Sequence, residues 1–338
     1  MSTVRIVIIG IGMIGEEHFR RCSQVLSGVE IVALFDLNTD RANDVIAKYS
    51  LDAHVAESAE TLIHDPAVDA VFVTSWGGTH AAYVLEAIAA GKYVFCEKPL
   101  ATTVSDCERI VAAEVDGGRR LVQVGFMRPY DSGYRDLKAR IDDGTIGEVL
   151  MVHAAHRNPS VGDTYTTDMA ITDTLIHELD VLRWLLNDEF VSVQVLFPRG
   201  TSVAHAKLKD PQLVILHTKR GVIADIEVFV NCQYGYEIRC AVVGEKGEVA
   251  LPEFPAPVVR HGGAISQTVL MDWKKRFIAA YDTEIQDFLN GVSDGKLRGP
   301  DAWAGYLAAA TADACLRAQI SGEIEPVSII SRPDFYKH

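Results

Sequence analysis

Apolar residues along this chain follow two rhythms. Over roughly the first 125 residues, short unbroken apolar runs (4–10, 30–36, 68–74, 93–97 and 120–125) alternate with stretches of helical spacing (14–26, 40–49, 58–64, 81–90 and 104–115). Unbroken runs of that length read as strands buried on both faces. Strand and helix taking turns in this way predicts a doubly wound, mostly parallel sheet. From about residue 147 the period falls to two. Val191, Val193, Val195 and Phe197 alternate with Ser192, Gln194 and Leu196, and Ile226, Val228 and Val230 with Asp225, Glu227 and Phe229. Ile238, Cys240 and Val242 follow, and Gly244-Glu245-Lys246-Gly247 reads as a hairpin turn. This predicts a large, mostly antiparallel open sheet with one covered face and one open face, the latter a candidate oligomer surface. Helices are expected at 132–142, 175–186, 278–289 and 303–320, the last two packing back on the first domain.

The first apolar run ends in Gly10-Ile11-Gly12-Met13-Ile14-Gly15, with helical sequence following directly. A Gly-x-Gly-x-x-Gly in that position, between a strand and a helix, marks a dinucleotide site. The glycines permit a tight turn and close approach of backbone to a pyrophosphate, and the helix start supplies free N–H groups and a positive dipole end. Asp36 closes the next strand 21 residues after Gly15. A carboxylate there accepts both ribose hydroxyl protons of NAD and repels the 2′-phosphate of NADP. Thr74, Ser75, Trp76 and His80, at and just beyond the end of the 68–74 strand, suit a loop over the cofactor. The expected fold is therefore α/β: an NAD-binding Rossmann domain over 1–125, then an α+β domain over 126–338 for substrate binding and oligomerisation.

A net charge of −14 argues against nucleic acid or an anionic membrane surface as partner. No apolar run approaches the length of a membrane helix, and the N-terminus enters strand-like sequence without a signal-like leader, so a cytoplasmic protein is expected. The six cysteines show no Cys-x-x-Cys spacing, and the eleven histidines no His-Glu-x-x-His, so no metal is expected. His153 and His156 lie three apart in a strand and point to opposite faces.

Candidate chemistry begins at Tyr93-Val-Phe-Cys-Glu-Lys-Pro-Leu100, where a buried strand runs into Glu97, Lys98 and Pro99. Ligands of open α/β sheets sit beyond the carboxyl ends of the strands, which is where Lys98 falls. In the second domain, Asp173 and His177 are four apart at the start of a helix and share a face. An Asp beside a His orients the ring and raises its basicity.

These two stretches carry a resemblance. Glu97-Lys98-Pro99 and Thr172-Asp173-Thr174-Leu175-Ile176-His177-Glu178-Leu179-Asp180 resemble those of the glucose–fructose oxidoreductase / inositol dehydrogenase / rhizopine-catabolism family. The likeness covers essentially the whole chain. Val73 to Gly77, Leu121 to Arg128, Ala155 to Pro159, Asn231 to Tyr236 and Met271 to Trp273 mark the inositol branch more specifically than Glu-Lys-Pro does. The resemblance implies a catalytic Lys98, Asp173 and His177, with Glu97 and Lys98 also at the cofactor. It implies a polyol site that includes Arg128, His156, Asn158, Thr174 and Tyr236, and a homotetramer. The implied reaction is NAD-dependent oxidation of myo-inositol to 2-keto-myo-inositol, with His177 as base and Lys98 stabilising negative charge on the reacting oxygen. The same chemistry on scyllo- or D-chiro-inositol or a pyranose sugar is the nearest alternative. A non-catalytic NAD-binding sensor is the alternative from another class, and it would be expected to lack Lys98 or His177.

Overall fold

The computed structural model describes residues 3–252 and 256–337, so residues 1, 2 and 338, which fall within the expected domain bounds, lie outside the described residues. The chain divides into two compact units. One is Met1–Phe126 with Tyr281–Ala309 and Ile330–His338; the other is Met127–Ala280 with Ala310–Ile329.

In the first unit the strand–helix alternation is realised as β1 (Val4–Ile9), α1 (Met13–Gln24), β2 (Val29–Phe35), α2 (Thr39–Tyr49), β3 (His54–Val55), α3 (Ala59–Ile63), β4 (Ala70–Val73), α4 (His80–Ala89), β5 (Tyr93–Glu97), α5 (Val104–Gly117) and β6 (Val122–Gly125). Among the described residues these make a six-stranded sheet in the order β3-β2-β1-β4-β5-β6, parallel throughout. Strand order reverses direction beside β1, so the crevice of this doubly wound sheet opens at the ends of β1 and β4. Its largely aliphatic core holds an aromatic cluster. Phe72 on β4 and Phe95 on β5 stack with centroids 5.1 Å apart, and Phe288 meets them edge-on at 5.5 and 5.6 Å. Phe288 comes from the late helical segment that belongs to this unit. The tail segment is fastened too: buried Glu114 accepts the Leu121 N–H (2.5 Å), the Val122 N–H (2.8 Å) and the Tyr336 hydroxyl (2.6 Å).

The second unit contains α6 (Ser132–Asp142), β7 (Val149–Arg157), α7 (Ile176–Leu186), β8 (Phe190–Leu196), β9 (Gln212–Thr218), β10 (Ile223–Phe229), β11 (Glu237–Gly244), β12 (Gly247–Ala250), β13 (Val258–His261) and β14 (Ala264–Gln267). The helices α8 (Trp273–Asp294) and α9 (Ala302–Ser321) are shared between the units, and β15 (Glu325–Pro326) is a short edge strand. Among the described residues the large sheet runs β12-β11-β7-β10-β9-β8-β15. It is antiparallel except where β7 lies parallel to β10. Period-two alternation is visible in burial: Ala224, Ile226 and Val228 on β10 are buried, and Asp225, Glu227 and Phe229 between them are not. Helix α7 is buried almost all round, which its short polar stripe foretells.

Four differences from the sequence reading have physical causes. Strand β9 carries no period-two signal in sequence, since Leu213 to Leu216 are all apolar, and its alternation appears only in burial. The ribbon β13–β14 is exposed along nearly its whole length, so burial imposes no pattern on it. Of the alternating set only Val193 and Val195 are buried, since Val191 falls at a register shift between Phe190 and Ser192 and Phe197 lies beyond the strand. The helix carrying Asp173 and His177 begins earlier, with a π-helical turn over Ala170–Leu175 that α7 continues.

Phe95→Ala, which empties the centre of the aromatic cluster, is expected to cost about 3–5 kcal/mol. Urea unfolding followed by fluorescence would measure it.

Candidate active site

The glycine loop is shaped by close approach. Gly10 has φ of +93°, and a Cβ on it would lie 2.3 Å from the Ser75 Cα. A Cβ on Gly15 would lie 2.1 Å from the Gly10 carbonyl oxygen. Neither position admits a side chain, so the ends of β1 and β4 touch backbone to backbone. Gly12 differs: a Cβ there would meet nothing within 4 Å, because it faces open space at the start of α1. Buried Thr74 donates to the Gly10 carbonyl (2.6 Å) and locks the two strand ends together. Asp36 follows β2; its carboxylate accepts the Ile11 N–H (2.6 Å) and the Asn38 N–H (2.8 Å) and so stands beside the loop. Ile11 is buried, Ile14 is half-buried, and Met13 is 61% exposed. The structure thus brings Gly10, Gly12, Gly15, Asp36, Thr74 and Ser75 to one crevice. An N–H-lined helix start, room above Gly12 and a carboxylate at the end of β2 fit a dinucleotide.

The wall of that crevice is braced. His80 is buried, with Nδ1 2.7 Å from the Pro99 carbonyl and Nε2 3.0 Å from the Ser75 carbonyl. It ties the turn after β4 to the turn after β5. The Ser75 and Thr79 hydroxyls are hydrogen-bonded at 2.7 Å, and Trp76 lies exposed with its ring over Gly78. Lys98 stands at the mouth of β5, joined to Pro99 by a cis peptide bond. Glu97, just before it, is buried.

In the second unit a buried polar cluster forms around Arg128. Its guanidinium donates to Glu178 and approaches His156 Nδ1 at 3.1 Å and the Tyr134 hydroxyl at 3.4 Å. Glu178 Oε2 also lies 3.0 Å from His156 Nδ1. The Tyr236 ring meets His156 edge-on at 5.8 Å, and the rings of His156 and His177 are 6.3 Å apart. Burial works to raise the Glu178 carboxyl, but Arg128 and His156 outweigh it and hold it below the ordinary glutamate range. Burial pushes the Tyr236 hydroxyl above its ordinary value, so it remains a donor. Thr174 is buried and shares a 2.6 Å hydrogen bond with the Tyr165 hydroxyl; Asp173 is exposed on the π-helical turn. Asn158 sits past the end of β7, its N–H donating to the Phe229 carbonyl at 2.9 Å. Arg128, His156, Tyr236 and His177 are therefore brought together, while the Thr174 hydroxyl is bonded to Tyr165 and the main chain of Asn158 to Phe229.

The sequence reading missed Glu178 as the hub of this cluster, and with it Tyr134 and Tyr165. The available signal was a set of ionisable residues, His177, Glu178, Asp180 and Arg183, in a helix whose other positions are all apolar; a carboxylate buried there demands a cation to meet it.

Comparison with known proteins agrees with this geometry. Residues 4–126 match the model described as "Oxidoreductase family, NAD-binding Rossmann fold", and residues 138–329 match "Oxidoreductase family, C-terminal alpha/beta domain". The chain belongs to the glucose–fructose oxidoreductase / inositol dehydrogenase / rhizopine-catabolism family. It is an NAD-binding oxidoreductase. It is 60% identical over 334 residues to the inositol 2-dehydrogenase of Gluconacetobacter diazotrophicus, covering 99% of each chain. It is 59% identical to that of Serratia proteamaculans, again over 99% of each. The crystal structure of myo-inositol dehydrogenase from Lactobacillus casei, in complex with NAD(H) and myo-inositol, superposes with a TM-score of 0.97 at 43% identity, over 99% of this chain and 100% of that one. No helix among the described residues is long and apolar enough to cross a membrane.

Two outcomes follow from the geometry. Asp36→Ser is expected to raise the Kd for NAD and to narrow the preference for it over NADP, read by titrating both cofactors. Glu178→Ala leaves a buried guanidinium uncompensated and is expected to cost about 3–5 kcal/mol in denaturant unfolding. Because the Glu178 carboxyl is depressed in the fold, its contribution is present above the unfolded-state value of about 4.3 and fades as pH falls through the lower folded value. The variant should lose that acid limb of the stability curve.

Proposed function

We propose that this protein oxidises myo-inositol to 2-keto-myo-inositol with NAD as hydride acceptor. The observation that carries the reading is the full-length likeness, at a TM-score of 0.97, to a dehydrogenase crystallised with NAD(H) and myo-inositol. A cyclitol carries a hydroxyl on every ring carbon and no charge, so its site needs directional donors and acceptors. Arg128, His156 and Tyr236 supply them, with Asn158 and Thr174 as further members of the polyol site.

In this reading His177 removes the hydroxyl proton, Asp173 orients the imidazole and stabilises its charged form, and Lys98 donates to the oxygen that gains negative charge. NAD, held by the glycine loop and Asp36, with Glu97, Thr74, Ser75, Trp76 and His80 shaping the wall, supplies the hydride acceptor. A rise of rate with pH is expected as His177 loses its proton, since only neutral imidazole accepts one.

The assembly proposed is a homotetramer in the cytoplasm, with the open face of the large sheet as the main contact. Support comes from that face: it presents Met151 and Ile223, both more than 40% exposed, beside a hollow of about 650 Å³ lined by Ala155, Arg157, Leu213 and Glu227 among others. Light scattering at micromolar concentration should give four times the monomer mass, and a monomer would reject this contact.

The decisive test is NADH formation across a panel of cyclitols and sugars. myo-Inositol should give the highest kcat/KM; a higher value for scyllo-inositol or a pyranose would reassign the substrate. His177→Ala is expected to lower turnover by about two to four orders of magnitude with NAD affinity little changed. A folded His177→Ala protein that turns over at the wild-type rate would remove His177 as base.

A further inference from the structure

We infer that His18 is a positioning residue for Lys98, acting through the Glu97 carboxylate that it clamps. His18 lies on α1, one turn beyond the glycine loop, and is fully buried. Its Nε2 is 2.7 Å from Glu97 Oε1, and the other carboxylate oxygen accepts the Lys98 backbone N–H at 3.1 Å. On its far side, Arg21 Nη1 lies 3.2 Å from His18 Nδ1, and Arg21 Nε donates to Asp282 at 3.0 Å.

The partners fix the proton. A guanidinium only donates, so Nδ1 must accept and the ring hydrogen must sit on Nε2, pointing at Glu97. Burial pushes the imidazole below its ordinary value against the pull of Glu97, which agrees with a neutral ring. The ring is also held by packing, edge-on to Phe95 with centroids 5.5 Å apart and tilted against Tyr281 at 5.9 Å. Glu97 is confined from the β6 side as well, since a Cβ on Gly125 would fall 3.1 Å from its carboxyl carbon. The chain of contacts runs from Asp282 through Arg21, His18 and Glu97 to the main chain of Lys98. The sequence places a histidine three residues past the last loop glycine with no evident purpose; the structure gives it one.

The inference rests on the assignment of Lys98 to the reacting oxygen, so Lys98→Ala is measured alongside. His18→Leu removes the clamp and should lower kcat by about 10- to 100-fold, the effect of a small misplacement. The KM for myo-inositol and the Kd for NAD should stay within about twofold, because His18 itself is fully buried and lies on neither binding surface. His18→Gln offers an amide N–H to Glu97 and a carbonyl to Arg21, and should recover turnover to within about threefold of wild type. A role in stability alone would not separate Leu from Gln in kcat at matched melting temperature. Equal kcat in the wild type and His18→Leu, or in His18→Leu and His18→Gln, overturns the inference. Should His18→Leu fail to fold, Glu97→Gln carries the test. Its amide can satisfy only one of the two facing N–H groups, so kcat should fall at least about tenfold, and an unchanged kcat overturns the inference. Loss of activity in Lys98→Ala with wild-type turnover in His18→Leu would reject only the role of His18. Wild-type turnover in Lys98→Ala would reject the assignment of Lys98 and the inference with it.

Discussion

Everything in the first unit hangs on a steric constraint, the contact of two strand ends with no room for a carbon atom between them. Gly10 lies against the Ser75 main chain and Gly15 against the Gly10 carbonyl. That contact aims the start of α1 into the crevice and sets the turn after β4 beside the loop. Thr74 and Asp36 then fasten the loop with hydrogen bonds that use backbone groups left over from the strands. Because α1 starts there, it also delivers His18 to Glu97 one turn later. One close approach thus organises both the cofactor crevice and the support of the residue after Glu97.

The second unit meets a different problem. It buries Arg128, Glu178 and His156 where water cannot reach. Isolated, each charge would be expensive; together, Arg128 and Glu178 compensate one another and leave polarity without net charge. Under the proposed function, such a wall suits a neutral polyhydroxylated ligand better than an acid or an amine. The Tyr134 hydroxyl beside Arg128 and the Tyr236 ring edge-on to His156 hold the cluster from two further sides.

What could be read in the sequence was what repeats or is local. The strand–helix alternation, the glycine loop and Asp36 leave their mark over a few residues, and so does the His177 helix. The hidden parts were those that depend on distant partners. Glu178 looks like any helix carboxylate until β7 and the Arg128 turn bring His156 and Arg128 to it. His18 reads as an ordinary helix residue until β5 delivers Glu97. Strand β9 alternates in burial but not in sequence, and β13–β14 shows no pattern because little there is buried.

The first unit is also discontinuous: its sheet is complete by Gly125, yet Phe288, Trp303 and Tyr336 belong to its core. On a ribosome, the six strands emerge long before those side chains. Phe72 and Phe95 must wait for Phe288, and Glu114 must wait, buried or solvated, for the Tyr336 hydroxyl. The whole second unit is synthesised in that interval. The nascent Rossmann sheet therefore carries an uncovered aromatic surface until Phe288 is made, and its folding closes only after Tyr336.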